Sequence, residues 1–139
     1  MKRDLSYLST CPIAVLGGGA VGKATAADCK LAGREVRLYS KSEKSIARLD
    51  KTGILLDGIQ RNLYGFERSG RVFLDIVSTD MRKVVKGAKL IIIGVPALSH
   101  EYYLKTLVPL LEDGGVSKCT PSFFMHKTPT FTSRGFVIT

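Results

Sequence analysis

The sequence is poor in the features that mark several large classes of protein. Its longest apolar runs, residues 13–16 and 90–93, fall far short of the roughly 18 to 20 apolar residues that a membrane helix needs, so nothing in it reads as spanning a bilayer. After Met1-Lys2-Arg3 the chain lacks the apolar core of a secretory signal, and a cytoplasmic location is the expectation. Its three cysteines, Cys11, Cys29 and Cys119, are odd in number and without C-x-x-C spacing. A disulfide framework and a zinc knuckle are therefore not suggested, no metal is expected, and the thiols read as reduced and structural. Of the two histidines, His100 stands near a helix start, where capping is its ordinary role, and His126 has no carboxylate that spacing pairs with it. Acids are scarce, 12 against 21 Lys and Arg, for a formal net charge of +9. The basic residues are nevertheless scattered and not interleaved with aromatics, so the charge reads as solvated surface and nucleic acid is not an expected partner.

What is present is material for one core. With 139 residues, 45% of them hydrophobic and 24% charged, the chain is the size of a single domain and too apolar to be disordered. Residues 12–16 form a short apolar run closed by three glycines, as expected of a strand buried on both faces. Small and apolar residues at Ala20, Ala24, Ala27 and Leu31 then recur with helical period up to Gly33. Residues 35–39 alternate as a second strand, and 43–51 read as a short polar helix with Ile46 and Leu49 inward. This strand, helix and strand make a βαβ unit. Between 53 and 77, apolar runs broken by Asp57-Gly58 and Ser69-Gly70 indicate one or two hairpins. Helical turns follow at 80–86, with Thr79 or Asp80 as N-cap, then a strong strand at 90–95 and a helix from 99 to 112 that Pro109 kinks or ends. The expected fold is α/β, a Rossmann-like, mostly parallel sheet with helices on both faces.

The chemistry lies in Gly17-Gly18-Gly19-Ala20-Val21-Gly22, which fits G-x-G-x-x-G directly after a strand and at the opening of a helix. Gly17 permits the tight turn, Gly19 lets backbone approach a pyrophosphate, and Gly22 allows close helix-to-strand packing. The free N–H groups of Ala20 and Val21 and the positive end of the helix would hold the phosphates. About 20 residues on, at the end of the second strand, such units usually place an acid on the adenosine ribose. Here that place is Ser40, with Arg37, Lys41 and Lys44 around it, and residues 34–51 hold six basic residues against three acids. Serine does not repel a 2′-phosphate, so NADP(H) is expected over NAD(H). Val95 and Pro96, with Ala97, end the strand at its ligand edge and are expected to line the nicotinamide or its ribose.

The stretches I-A-V-L-G-G-G-A-V-G, G-R-E-V-R-L-Y-S, G-I-L-L-D-G, V-P-A-L-S-H-E-Y-Y and L-V-P-L-L-E-D-G-G, between residues 13 and 115, resemble the N-terminal nucleotide-binding domain of the octopine/opine dehydrogenase family. Ketopantoate reductases and glycerol-3-phosphate dehydrogenases share the same general domain. The resemblance implies reductive condensation: an amino acid and a 2-oxo acid form an imine, and NAD(P)H delivers hydride to its carbon. It also implies that catalytic groups come from a C-terminal domain, for which this chain has no counterpart. The organisation read from the sequence is thus a coenzyme domain over 1–115 and an irregular tail over 116–139 that resembles a truncated or frame-shifted end. The alternative is a non-catalytic dinucleotide-binding module, paired as a homodimer to cover its sheet edge.

Overall fold

The computed structural model of the chain describes residues 10–57, 69–111 and the strand at 116–119. The order is β1 (Ile13–Leu16), α1 (Ala20–Leu31), β2 (Val36–Tyr39), α2 (Glu43–Ile46), α3 (Leu49–Thr52), β3 (Ile54–Leu56), β4 (Gly70–Val72), β5 (Ile76–Ser78), α4 (Met81–Val85), β6 (Leu90–Ile93), a 3-10 turn at Ala97–Ser99, α5 (His100–Leu107), a second 3-10 turn at Val108–Leu110, and β7 (Val116–Cys119). Among the described residues five strands form one sheet in the order β5-β2-β1-β6-β7, with each of these pairings parallel. The fold is Rossmann-like, as the βαβ reading anticipates.

The apolar runs are apolar at successive positions because both faces of the sheet are covered. Alternate residues of β1 supply opposite layers. Ala14 and Leu16 join Tyr39, Ile91 and Ile93 beneath Val84 and Val85 of α4 and Tyr103 and Leu107 of α5. Ile13 and Val15 join Val36, Leu38 and Ile92 beneath Ala26 of α1 and Ile46 of α2. Leu16, Leu38, Ile91, Ile93 and Leu107 are among the most deeply buried side chains, each contributing roughly 1.5–3 kcal/mol through removal of apolar area from water. Alanines on α1 let the helix lie close to the sheet: Ala26 and Ala27 are fully buried.

Several elements differ from their reading in the sequence. The polar helix of 43–51 is two short helices, interrupted at Arg48, whose φ of −120° and ψ of 2° leave the helical region. Of the hairpin segment, β3 and β4 do pair antiparallel, with Val72 of the run at 72–74 in β4, but residues 76–78 at the end of the segment form β5 and join the main sheet beside β2. The remaining apolar run of that segment, at 63–66, lies outside the described residues. Asp80, not Thr79, caps α4, its carboxylate accepting the Arg82 N–H at 3.0 Å. The α5 helix ends at Leu107, and Pro109 sits within the 3-10 turn that follows. The first four residues of the segment read as an irregular tail form β7, with Val116 to Cys119 in register with Leu90 to Ile93. A run of four mixed residues carries no readable period, whereas the open backbone edge of β6 gives it hydrogen-bond partners. Residues 120–139 lie outside the described residues. No helix among the described residues is long and apolar enough to cross a membrane.

Asp75 fastens β5 to the unit. Its carboxylate meets Lys30 Nζ at 2.7 Å and accepts the Val36 N–H at 2.8 Å, while its own N–H donates to the Val36 carbonyl at 3.0 Å. Partial burial pushes the carboxyl up, but the bonds from Lys30 and Val36 outweigh it and hold it below the ordinary 3.8. Both side chains are about one-third exposed, so solvent screening limits the pair to about 0.5–1 kcal/mol. A lowered folded-state value means that this stability is fully present above pH 3.8 and is lost as pH falls through the folded value. We expect Asp75→Asn to lower stability by about that amount at neutral pH and to flatten the acid limb of the stability profile, measured by urea unfolding across pH.

Candidate functional site

The C-terminal ends of β1, β2 and β6 meet at one edge of the sheet. Gly17 N–H donates to the Tyr39 carbonyl at 2.8 Å, and Gly94 N–H donates to the Leu16 carbonyl at 2.9 Å, so the strand ends are locked flush. The chain turns from β1 into α1 through Gly17, whose φ of +126° disfavours any side chain. A Cβ on Gly17 would come 2.5 Å from the Gly94 carbonyl oxygen, and one on Gly22 would overlap the Gly17 carbonyl oxygen. One on Gly18 would strike the Ser40 hydroxyl. Gly19 differs: nothing lies within 4 Å of its Cβ position, although it sits in ordinary extended backbone as the α1 N-cap.

The first helical bond of α1 runs from the Lys23 N–H to the Gly19 carbonyl, leaving the N–H groups of Ala20, Val21 and Gly22 without intrahelical acceptors. No side chain caps this end, and its first turn holds no acid. A cavity of about 410 Å³ opens there. Gly18 and Gly19 form its floor, Ser40, Lys41, Ser42 and Ser45 one wall, and Gly94, Val95, Pro96, Ser99 and Tyr103 the other. Among the described residues of this lining, Lys41 alone is charged. Open backbone at Gly19, free donors at a helix start and a wall whose described residues hold no carboxylate are what a polyphosphate ligand requires.

Among the residues expected from the sequence, Gly19, Ser40, Lys41, Val95 and Pro96 line the cavity, while Gly17 and Gly22 build its floor from behind. Ala20 and Val21 open α1 at its mouth, with Val21 about half exposed. Arg37 is not brought to the site, which corrects the expectation that it joins Ser40. It lies earlier on β2, and its guanidinium is held by Glu35 and by the carbonyl of Lys86, just past the end of α4. Lys44 is exposed on α2 and does not line the cavity. Gly18, Ser42, Ser45, Gly94, Ser99 and Tyr103 were not singled out from the sequence. The repeated serines after β2 and the glycine before Val95 were the available signals.

Ser40 is 3% exposed, and its hydroxyl both donates to the Ser42 carbonyl and accepts the Ser42 N–H, each at 3.1 Å. This folds the loop after β2 into a turn whose backbone and serines face the cavity. His100 does not line the cavity; its Nε2 lies 2.9 Å from the Val95 carbonyl and so closes the loop that follows β6, while no side chain caps the start of α5. His126 lies outside the described residues. Tyr103 is buried and Tyr102 half exposed. Burial and a hydrogen bond with Tyr102 push the Tyr39 phenol far above its usual range. The Tyr103 phenol is also raised by burial, against a backbone hydrogen bond with Lys41 that pulls it down.

The two glycines of unlike surroundings separate a role in folding from a role in binding. We expect Gly22→Ala to lower stability by several kcal/mol, on the order of an overpacked core, because backbone has to move to admit the methyl. Gly19→Ala is expected to keep the melting temperature within a few degrees and to reduce affinity for a nicotinamide dinucleotide at least about tenfold, since its methyl enters only ligand space. Thermal unfolding and calorimetric titration of both variants check this.

The NAD-dependent glycerol-3-phosphate dehydrogenase N-terminus family matches residues 12–119. No curated protein gives a significant match. Among solved structures, glycerol-3-phosphate dehydrogenase from Coxiella burnetii is 23% identical with a TM-score of 0.62, over 81% of this chain and 32% of that one. Octopine dehydrogenase with NADH and L-arginine is 23% identical with a TM-score of 0.66, over 81% of this chain and 29% of that one. A ketopantoate-reductase-like protein from Ralstonia solanacearum is 20% identical with a TM-score of 0.62, over 81% and 32%. The chain thus spans about a third of the length of these neighbours, and it covers their shared fold. With the family match extending from the strand before the glycine turn to the end of β7, the chain belongs to the NAD-dependent glycerol-3-phosphate dehydrogenase N-terminal family, whose fold is a dinucleotide-binding domain.

Proposed function

We propose that the chain binds NADP(H) and serves as the coenzyme domain of an opine-type dehydrogenase. The observation that carries the coenzyme choice is the wall at the end of β2. It holds Ser40, Lys41, Ser42 and Ser45, and no carboxylate. An acid there would accept from the ribose 2′-OH and repel a 2′-phosphate; serines and an ammonium do the reverse. A charge-assisted hydrogen bond to phosphate contributes roughly 1.5–3 kcal/mol, enough for one to two orders of magnitude in affinity.

Within that reading the chain's residues divide the coenzyme between them. Gly19 and the free N–H groups of Ala20, Val21 and Gly22 take the pyrophosphate, Lys41 the 2′-phosphate, and Val95 and Pro96 the nicotinamide side. The bound nicotinamide supplies or accepts the hydride. The opine assignment is supported by the V-P-A-L-S-H-E segment, which runs from the end of β6 into α5. A second reading, reduction of the ketone corresponding to glycerol 3-phosphate, is supported by the family match over 12–119. NADPH oxidation by this domain joined to a catalytic domain, with an amino acid and a 2-oxo acid set against dihydroxyacetone phosphate, distinguishes the two.

Isothermal titration with NADPH and NADH tests the coenzyme choice. We expect NADPH to bind at least about tenfold more tightly, and Ser40→Asp to move the ratio toward NADH. An equal affinity for both, or a ratio that Ser40→Asp leaves in place, overturns the NADP(H) assignment.

A further inference from the structure

We propose that Tyr102, which does not line the cavity, is the positioning residue that presents the Lys41 ammonium to the 2′-phosphate; this rests on the NADP(H) reading above. Lys41 Nζ sits 4.3 Å from the centre of the Tyr102 ring, a cation–π contact. The ring is itself held in place. It meets the buried Tyr103 edge-on, with centroids 5.6 Å apart and planes at 80°. Tyr103 in turn meets the buried Tyr39 edge-on at 5.6 Å, so the ring stack runs from the surface into the core. The carboxylate on the preceding residue, Glu101, is engaged by Lys105 at 2.6 Å.

The choice of partner matters for the ligand. A carboxylate would fix the lysine equally well but would repel an incoming phosphate and compete with it. An aromatic face restricts the side chain, leaves its charge intact and adds no negative charge to the wall. The lysine is ordered before the ligand arrives, and less freedom is lost on binding.

Titration of the 139-residue chain with NADPH and NADH reads the effect as the ratio of the two affinities. Tyr102→Leu and Tyr102→Gln, which both remove the ring, are expected to lower that ratio about two- to fivefold. Tyr102→Phe, which keeps the face, is expected to hold it. In a Lys41→Met background, loss of the ring is expected to change the ratio no further, because the ring acts through the ammonium. A ratio insensitive to Leu and Gln, an equal fall in Tyr102→Phe, or an undiminished fall in the Lys41→Met background overturns the role of Tyr102. If the unaltered chain already binds both coenzymes equally, the NADP(H) reading fails and this inference with it. A clear NADPH preference that Tyr102 variants do not move overturns the inference alone.

Discussion

The structure depends on the meeting of three backbones where no side chain fits. Gly17 lies against the carbonyl of Gly94, Gly22 against the carbonyl of Gly17, and Gly94 within 3.2 Å of Gly22 as judged from its Cβ position. These residues come from the end of β1, the first turn of α1 and the end of β6. Their contact fixes how closely α1 descends onto the sheet and where its free N–H groups point. It also explains why the buried face of that helix is built from Ala26 and Ala27: a helix seated so low has no room above the sheet for larger residues. Core packing and ligand cradle are consequently one arrangement, and the glycine turn cannot be altered from behind without disturbing both.

Charge is arranged differently at the two ends of the strands. At the ligand edge the cavity wall carries Lys41 and hydroxyl groups, and the α1 terminus adds its partial positive charge. At the other edge Arg37 satisfies the carbonyl of Lys86 just beyond α4, one of the acceptors a helix end leaves open. Counting cations along residues 34–51 merges these two populations. Strand direction separates them, because neighbours on β2 and its following loop point to different edges and different faces.

That distinction marks what the sequence made legible. The βαβ unit and its glycine turn could be read because their constraints are local: an apolar run, glycines at fixed offsets and a small-residue helical face all fall within residues 12–39. Asp80 as a cap and Pro109 as a break were readable for the same reason. Tyr103, Ser99 and Gly94 were not, because their place in the cavity follows from β6 pairing next to β1 across a long stretch of intervening chain. β5 was hidden likewise. Its three residues carry the composition of a hairpin strand, and the parallel ladder to β2, with Asp75 bridging Lys30 and the backbone of Val36, commits them to the edge of the parallel sheet. β7 has too few residues for any period to show, and its pairing is a backbone affair.

The walls of the cavity are tied to the fold independently of any ligand. The loop after β2 is held by Ser40 to its own backbone and by Lys41 to the tyrosines of α5, and the loop after β6 is closed by His100 on Val95. The first and last of these ties are local to their loops, and the Lys41 contact with Tyr102 joins one lip of the crevice to the helix behind the other. Among the described residues no buried side-chain polar atom lacks a partner, and the site therefore does not stand open at the expense of stranded groups. The groups left uncommitted are backbone N–H groups at a helix start. These are the groups that neither packing nor a side-chain cap satisfies here, and binding an anion completes their hydrogen bonding without asking the surrounding structure to move.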